Sequence, residues 1–189
     1  MNNSDTLWKT CRVLANETRL GILRRLMRCS ELCVSDIAAL ETLSEVVASQ
    51  HLRMLNEYGF LQLRRDGKWA LYKAAPNPAN PLAISLYPLL KNKLLSKNKS
   101  AELIRLFTAI THPRRIELLS AIASGERKFD ELTSLCDISG MALQRHLKKL
   151  TGRNFVIQDG ETCQIAPPSS RLRTLLLEAC QESSPHHTS

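Results

Sequence analysis

Ser44-Glu45-Val46-Val47-Ala48-Ser49-Gln50-His51-Leu52-Arg53-Met54-Leu55 returns, changed but recognisable, as Ser139-Gly140-Met141-Ala142-Leu143-Gln144-Arg145-His146-Leu147-Lys148-Lys149-Leu150. The two strings lie 95 positions apart, from His51 to His146. A unit written twice decides the fold, because self-similarity at a fixed spacing marks a repeated structural module. Leu40, Ser44, His51, Leu52, Leu55 and Phe60 match Leu135, Ser139, His146, Leu147, Leu150 and Phe155 at that spacing. Upstream, Arg19 and Leu23 match Arg115 and Leu119 at 96; downstream, Asp66-Gly67 matches Asp159-Gly160 at 93. Small deletions between elements, with matches inside them, are what a duplicated fold leaves behind.

Two copies of roughly 75 residues fit a chain of 189. Units this small bury a modest share of their surface, so packing one copy against the other would help both. The hydrophobic fraction is 43%, and 26 basic residues face 18 acidic ones, a net charge of +8. That excess suits an anionic partner and supports, without proving, nucleic-acid binding. Six cysteines, at 11, 29, 33, 136, 163 and 180, form no CxxC pair. The start, Met1-Asn2-Asn3-Ser4-Asp5, lacks a signal peptide's basic start and apolar run. No stretch approaches the roughly 18 apolar residues of a membrane span. The expectation is a soluble cytoplasmic protein with reduced thiols and no membrane partner.

Ser4 or Asp5 is expected to cap a first helix carrying Leu7, Trp8, Cys11 and Leu14. Asn16 caps a second, with Leu20, Ile22, Leu23, Leu26 and Met27 inward and Arg19, Arg24, Arg25 and Arg28 on the other face. A short helix follows from about Val34 to Leu40, then one capped by Ser44 and ended by Tyr58-Gly59. Leu61 to Leu63 and Trp69 to Tyr72 flank Arg64-Arg65-Asp66-Gly67-Lys68, a hairpin signal. After Pro76 to Pro81, a helix from about Leu82 to Leu95 is expected to kink or break near Pro88. Lys91, Lys93, Lys97 and Lys99 make the next stretch a basic joint. The second copy repeats the order: helices near Ala101 to Ile110, Pro113 to Ala123, Phe129 to Leu135 and Ser139 to Leu150, a hairpin at Asp159-Gly160, and a last helix from Arg171 to Gln181.

The predicted class is mainly α with small β-hairpin wings. It consists of two tandem winged helix-turn-helix domains, at 1–96 and 97–182, with a disordered tail at 183–189. In detail the chain resembles the ArsR-type winged-helix repressors. The first copy carries the fuller pattern: Leu14-Ala15-Asn16-Glu17-Thr18-Arg19-Leu20-Gly21-Ile22-Leu23, then Glu31-Leu32-Cys33-Val34-Ser35-Asp36-Ile37-Ala38, then Leu43-Ser44 through His51-Leu52, then Gly67-Lys68-Trp69-Ala70-Leu71-Tyr72. The second keeps Thr111-His112-Pro113-Arg114-Arg115-Ile116-Glu117-Leu118-Leu119 and the frame of the repeated helix. The resemblance implies one winged helix per chain and dimerisation through the first and last helices. Two copies in one chain therefore imply an intramolecular pseudo-dimer able to act as a monomer.

The resemblance also implies double-stranded DNA as partner and a regulator, a repressor, as function. In the repeated helix, Ala48, Leu52 and Leu55 share the inward face. Ser44 begins the helix, and Glu45, Val46, Ser49, Gln50 and Arg53 are left to face DNA. In the second copy Leu143, Leu147 and Leu150 turn inward; Gly140 points outward beside the DNA candidates Met141, Gln144, Arg145 and Lys148. Gln and Arg suit purine edges in the major groove. The bland alternative is a solvated polar face. His51 and His146 recur, and a scaffold role is favoured for both. Arg64, Arg65 and Lys68 on the first wing suit phosphates, whereas Asp159 and Glu161 on the second would be repelled by them.

Relatives that sense metal or arsenic imply a paired-thiolate motif, but here Ser35 stands where the second cysteine would be. Cys29 and Cys33 are weak metal candidates, with Cys11 as another thiol that could approach Cys33; His186 and His187 in the tail are a weak signal, and no cofactor is expected. Cysteine as a small buried apolar residue is the default. No glycine-rich phosphate loop, HExxH or catalytic acid pair points to an enzyme. Two other readings stay open: a tandem winged-helix protein–protein adaptor, and a metal-, metalloid- or thiol-responsive repressor.

Overall fold

The computed structural model describes residues 3–96 and 100–183. The tail calls at 184–189, with His186 and His187, and the joint lysines Lys97 and Lys99 lie outside the described residues. The chain forms two compact units. Among the described residues no helix is long and apolar enough to cross a membrane.

One unit spans Val13–Ile104. Asn16, in extended backbone, accepts the Arg19 N–H at 3.0 Å and starts α2 (Glu17–Leu26). After β1 (Leu32–Cys33) come α3 (Val34–Glu41) and α4 (Glu45–Glu57), which pack on each other and on α2. Ser44 caps α4 by accepting the Val47 N–H, and the helix stops where Gly59 turns left-handed at φ 81°. A Cβ on Gly59 would lie 3.0 Å from the Asn80 side chain, so glycine is needed there for space as well as conformation. The wing is β2 (Leu61–Asp66) against β3 (Trp69–Ala74), with β1 on the far side of β3, all antiparallel. Its strands reach three and two residues further than the alternating pattern predicts. Leu20, Leu23, Ile37, Ala48, Leu52, Leu55 and Phe60 are fully buried. Each leucine contributes roughly 2 kcal/mol of burial energy.

Asn80 accepts the Ala83 N–H and opens α5 (Pro81–Ser96). Proline suits this first position, where its missing N–H costs nothing. The expected break at Pro88 does not occur: α5 runs through it. Proline removes one hydrogen bond there, and Ala83, Leu86, Leu90 and Leu94, buried on both sides of it, hold the helix together.

The second unit joins the residues up to Arg12 with those from Arg105 onward. It holds most of α1 (Asn3–Leu14) and the end of α6 (Ser100–Phe107). Then come α7 (Pro113–Ala123), β4 (Arg127–Lys128), α8 (Phe129–Leu135), α9 (Gly140–Thr151), β5 (Val156–Asp159), β6 (Thr162–Ile165) and α10 (Arg171–Glu182). The three strands again run antiparallel, in the order β4-β6-β5. α10 packs on α7. The residues before each copy are grouped largely with the other copy: those up to Arg12 fall in the unit of the second copy, and those up to Ile104 in the unit of the first. Cys11 on α1 and Cys180 on α10 are both fully buried in the second unit.

Backbone geometry repeats with the sequence. Left-handed residues stand at Thr42 and Asp137, at Gly59 and Asn154, and at Gly67 and Gly160, the same three places in each copy. Arg19 and Arg115 also correspond, and both turn inward rather than to solvent. Arg115 is buried: its Nε donates to the Ala109 carbonyl and its Nη2 to the Thr108 carbonyl (3.2 Å) and the Thr111 hydroxyl (2.8 Å). Arg19 Nε donates to the Val13 carbonyl, six residues back as in the other copy. Helix α6 ends at Phe107 and not at the expected Ile110, and the Thr108 and Ala109 carbonyls that follow it are satisfied by the Arg115 guanidinium.

Candidate nucleic-acid interface

The pair α3–α4 is a helix-turn-helix, with Thr42 in the left-handed region making the turn. Spacing along α4 puts Ala48, Leu52 and Leu55 at zero exposure, as expected, and leaves Glu45, Val46, Gln50 and Arg53 exposed with Ser49 half-buried. Val46 is 68% exposed, so its methyl groups stand open to solvent on the outer face of the helix. Ser44 stands at the same end, its hydroxyl already occupied as the cap. Met54 is exposed too and meets Arg19 Nη1 at 3.8 Å.

Helix α9 repeats the inner face with Leu143, Leu147 and Leu150 fully buried. Met141 is 86% exposed, and Gln144, Arg145 and Lys148 are exposed beside it. Lys149 is exposed as well and was missed by the sequence reading, which followed the first copy's frame, where Met54 occupies that place. Gly140 is half-buried rather than outward. A Cβ there would lie 3.4 Å from the Phe129 ring, so this end of α9 approaches α8 closely.

The two histidines belong to the frame. His51 is half-buried and held below the ordinary imidazole range by burial, with Arg19 adding to the effect. His146 is buried and pushed down to about 4, by burial first and then by His112, Arg115, Arg145 and Lys149. Its ring lies 4.8 Å from that of His112. His112 in turn caps α7 by accepting the Arg114 N–H on Nδ1 at 3.1 Å. Its own pKa is lowered, by burial first and then by Arg115, Arg145 and Arg114. Neutral imidazoles are what this packing requires.

The first wing does not present its three cations equally. Arg64 pairs with Glu31 at 2.8 Å and with Asp66 at 3.1 Å. The Glu31 carboxyl is held below its usual range by the Arg64 hydrogen bond. A phosphate would have to compete with two carboxylates for that guanidinium. Arg65 makes no ion pair among the described residues and is exposed. Lys68 lies over the Trp69 ring, its Nζ 5.2 Å from the centroid, and the ring itself is 51% exposed. Only the residue order of Arg64 was legible in sequence; its partner Glu31 lies 33 positions away. The second wing is two residues shorter in each strand and turns at Asp159-Gly160-Glu161, all exposed.

The sensor candidates are placed differently from one another. Cys29 is exposed and Cys33 buried. Cys33 begins α3: its Sγ donates to Asp36 at 2.9 Å and lies 3.0 Å from the Ser35 hydroxyl, while its N–H donates to the same Asp36 oxygen. Those bonds hold the Asp36 carboxyl below its usual range, the thiol's contribution being the larger. In the second copy Lys128 occupies this place, and its N–H donates to Glu131. Among the described residues no three His, Cys, Asp or Glu side chains gather into a group that could hold a metal ion. Burial pushes the thiols of Cys11, Cys163 and Cys180 up, and that of Cys136 to about 11. Such thiols are poor nucleophiles.

The model of the bacterial regulatory protein arsR family matches the chain twice, over residues 16–62 and 112–158. The arsenical resistance operon repressor of Escherichia coli K12 is 42% identical over 66 residues, 35% of this chain and 56% of that protein. A homolog of the cadmium resistance transcriptional regulatory protein CadC from Staphylococcus aureus is 38% identical over 64 residues, 34% of this chain and 53% of its own length. A homodimeric winged helix-turn-helix DNA-binding domain from Mycobacterium bovis is 27% identical, covers 49% of this chain and 83% of its own, and has a TM-score of 0.39. The chain spans about half the length of the curated relatives it matches.

Proposed function

Two segments of this chain, 16–62 and 112–158, belong to the arsR family of bacterial regulatory proteins, and from that premise we propose that it is a sequence-specific DNA-binding transcriptional repressor. The observation that carries the reading is the pair of recognition helices. Each is anchored by three fully buried residues, and each turns hydrogen-bonding and basic side chains to solvent. Residues Glu45, Val46, Ser49, Gln50 and Arg53 form one reading face; Met141, Gln144, Arg145, Lys148 and Lys149 form the other. Arg65 and Lys68 on the first wing supply phosphate contacts, with Arg64 a lesser one because it is already paired. Phosphate contacts fix register and base contacts specify sequence.

The chain works as its own dimer, in the cytoplasm, and needs no second copy. This is supported by the composition of the compact units, where the helix preceding each copy clusters largely with the other copy. Metal or arsenic sensing through Cys33 has little support, since its thiol is engaged by Asp36 and its neighbour is Ser35.

The test is binding to a duplex from the region upstream of its own gene, against random DNA, at two salt concentrations, with and without thiol reductant or Zn(II). A preference of about a hundredfold or more over random DNA is expected. Equal binding would sink the reading. A second reading, a protein–protein adaptor, is favoured by the exposed Met141, Leu135 and Ile157 and by the acidic second wing. It predicts no salt-dependent DNA binding at all.

A further inference from the structure

The two recognition helices share one scaffold, so their exposed positions can be compared pair by pair. Ser44 and Ser139 cap them alike, and Ala48, Leu52 and Leu55 correspond to the buried Leu143, Leu147 and Leu150. Between those fixed points the outward pairs are Val46 with Met141, Ser49 with Gln144, Gln50 with Arg145, Arg53 with Lys148 and Met54 with Lys149, while the exposed Glu45 corresponds to the half-buried Gly140. No outward pair keeps the same residue, whereas Ser44, His51, Leu52 and Leu55 recur unchanged as Ser139, His146, Leu147 and Leu150, and Ala48 is exchanged only for the apolar Leu143. A helix pair reading identical half-sites would hold its outer face, which is the face that differs throughout here.

The differences are also chemical. Helix α4 carries one arginine against two glutamates, whereas α9 carries one arginine, two lysines and no acid. The wings run the other way: Arg65 and Lys68 on the first, Asp159 and Glu161 on the second. Positive charge has moved from wing to helix between the copies. The second copy has therefore kept its cations where a major groove would meet them. An arginine in the second turn of such a helix suits the O6 and N7 acceptors of guanine, while glutamine at the matching place suits the N6 and N7 of adenine. Glu45, at the start of α4, can accept from cytosine N4 but would be repelled by phosphate, so it favours a base edge.

We propose that this chain reads one asymmetric duplex site: an adenine-bearing half faces Gln50 on α4, and a different, guanine-bearing half faces Arg145 on α9. The protein then binds in a single orientation, and a promoter carrying the site is given a direction. This rests on the DNA-binding reading above and adds to it that the second copy reads bases.

The experiment is selection of duplexes from a random-sequence library by the full chain, followed by binding to the selected site and to two symmetrised versions, each a half joined to its own inverted copy. The selected site is expected to lack inverted symmetry and to bind about tenfold or more tighter than either symmetrised duplex. Arg145→Gln should shift preference from guanine to adenine in one half alone, and Gln50→Arg should make the reverse change in the other. Both residues are exposed, so the variants should fold, which circular dichroism checks. An inverted repeat, equal binding of a symmetrised duplex, or a selected sequence indifferent to Arg145→Gln would overturn the asymmetric site while leaving a DNA-binding regulator standing. If no sequence is enriched, both readings fall together.

Discussion

Helix α2 begins at Asn16, an amide that accepts its hydrogen bond at any pH; α7 begins at His112, an imidazole that can do so only while neutral. The positions correspond, and the backbone is extended at both. Around them the contrast widens. Arg19 is half-buried and Arg115 buried, and among the described residues His51 has no ring contact like that of His112 with His146. A duplicated frame keeps its backbone demands and lets the chemistry that meets them change. The second copy has put more charged and titratable groups inside, so it should be the more easily broken of the two.

Tryptophan gives a way to watch each unit alone, since Trp8 lies in the unit containing the second copy and Trp69 in the other. The largest effect is expected from Arg115→Ala, which strands two carbonyls and a hydroxyl. A loss of about 3 kcal/mol is expected in urea melts followed by Trp8, with Arg19→Ala costing about 1. Equal losses would erase the contrast in burial.

Acid should come next. His146, pushed down to about 4, and His112, also lowered, bind fewer protons folded than unfolded, where imidazole titrates near 6.5. That stabilisation is fully present above about pH 6.5 and is lost as pH falls toward 4; the buried His146 accounts for roughly 1–3 kcal/mol of it, whereas solvent screens the exposed His112. His51 gives the first unit a weaker trend of the same sign. Melts at pH 7 and pH 5 should show the Trp8 transition moving further than the Trp69 transition; the reverse order would count against the comparison.

On DNA, Arg65→Ala with Lys68→Ala should weaken binding about tenfold and flatten the salt dependence by about 1–2 in slope. Glu161→Gln should change it less than twofold, with Arg64→Ala falling between. A larger effect at Glu161 would reverse the ranking of the wings. The smallest effect concerns strain. Thr42→Gly, replacing a β-branched residue at φ 56°, should gain about 0.5 kcal/mol, whereas Asp137→Gly should gain almost nothing, because Asp tolerates this region.

The recognition helices were legible because three inward residues at helical spacing fix every other side chain's direction. The same logic placed Leu143, Leu147 and Leu150 without error. Strands β1 and β4 were not legible: two residues carry no alternation, and their partners Leu71 and Cys163 lie far along the chain. Arg19 read as a surface cation because its acceptor, the Val13 carbonyl, is backbone and leaves no trace in residue type. Arg64 read as free for phosphate because an ion pair between sequence-distant residues cannot be seen in a linear string. Of the site, direction was readable and availability was not.

The grouping of α1 with residues beyond Arg105 bears on how the chain is made. During synthesis α1 leaves the ribosome well before the helices it settles with. Cys11 must wait for Cys180, some ten to thirty seconds later at ordinary rates of about 5–20 residues per second. Until then its apolar face, with Leu7 and Cys11, has no permanent home. The residues from Val13 to Ile104 can condense meanwhile. Translation speed through the second copy therefore sets how long a sticky amphipathic helix stays exposed, and α10 completes a unit whose earliest piece is α1.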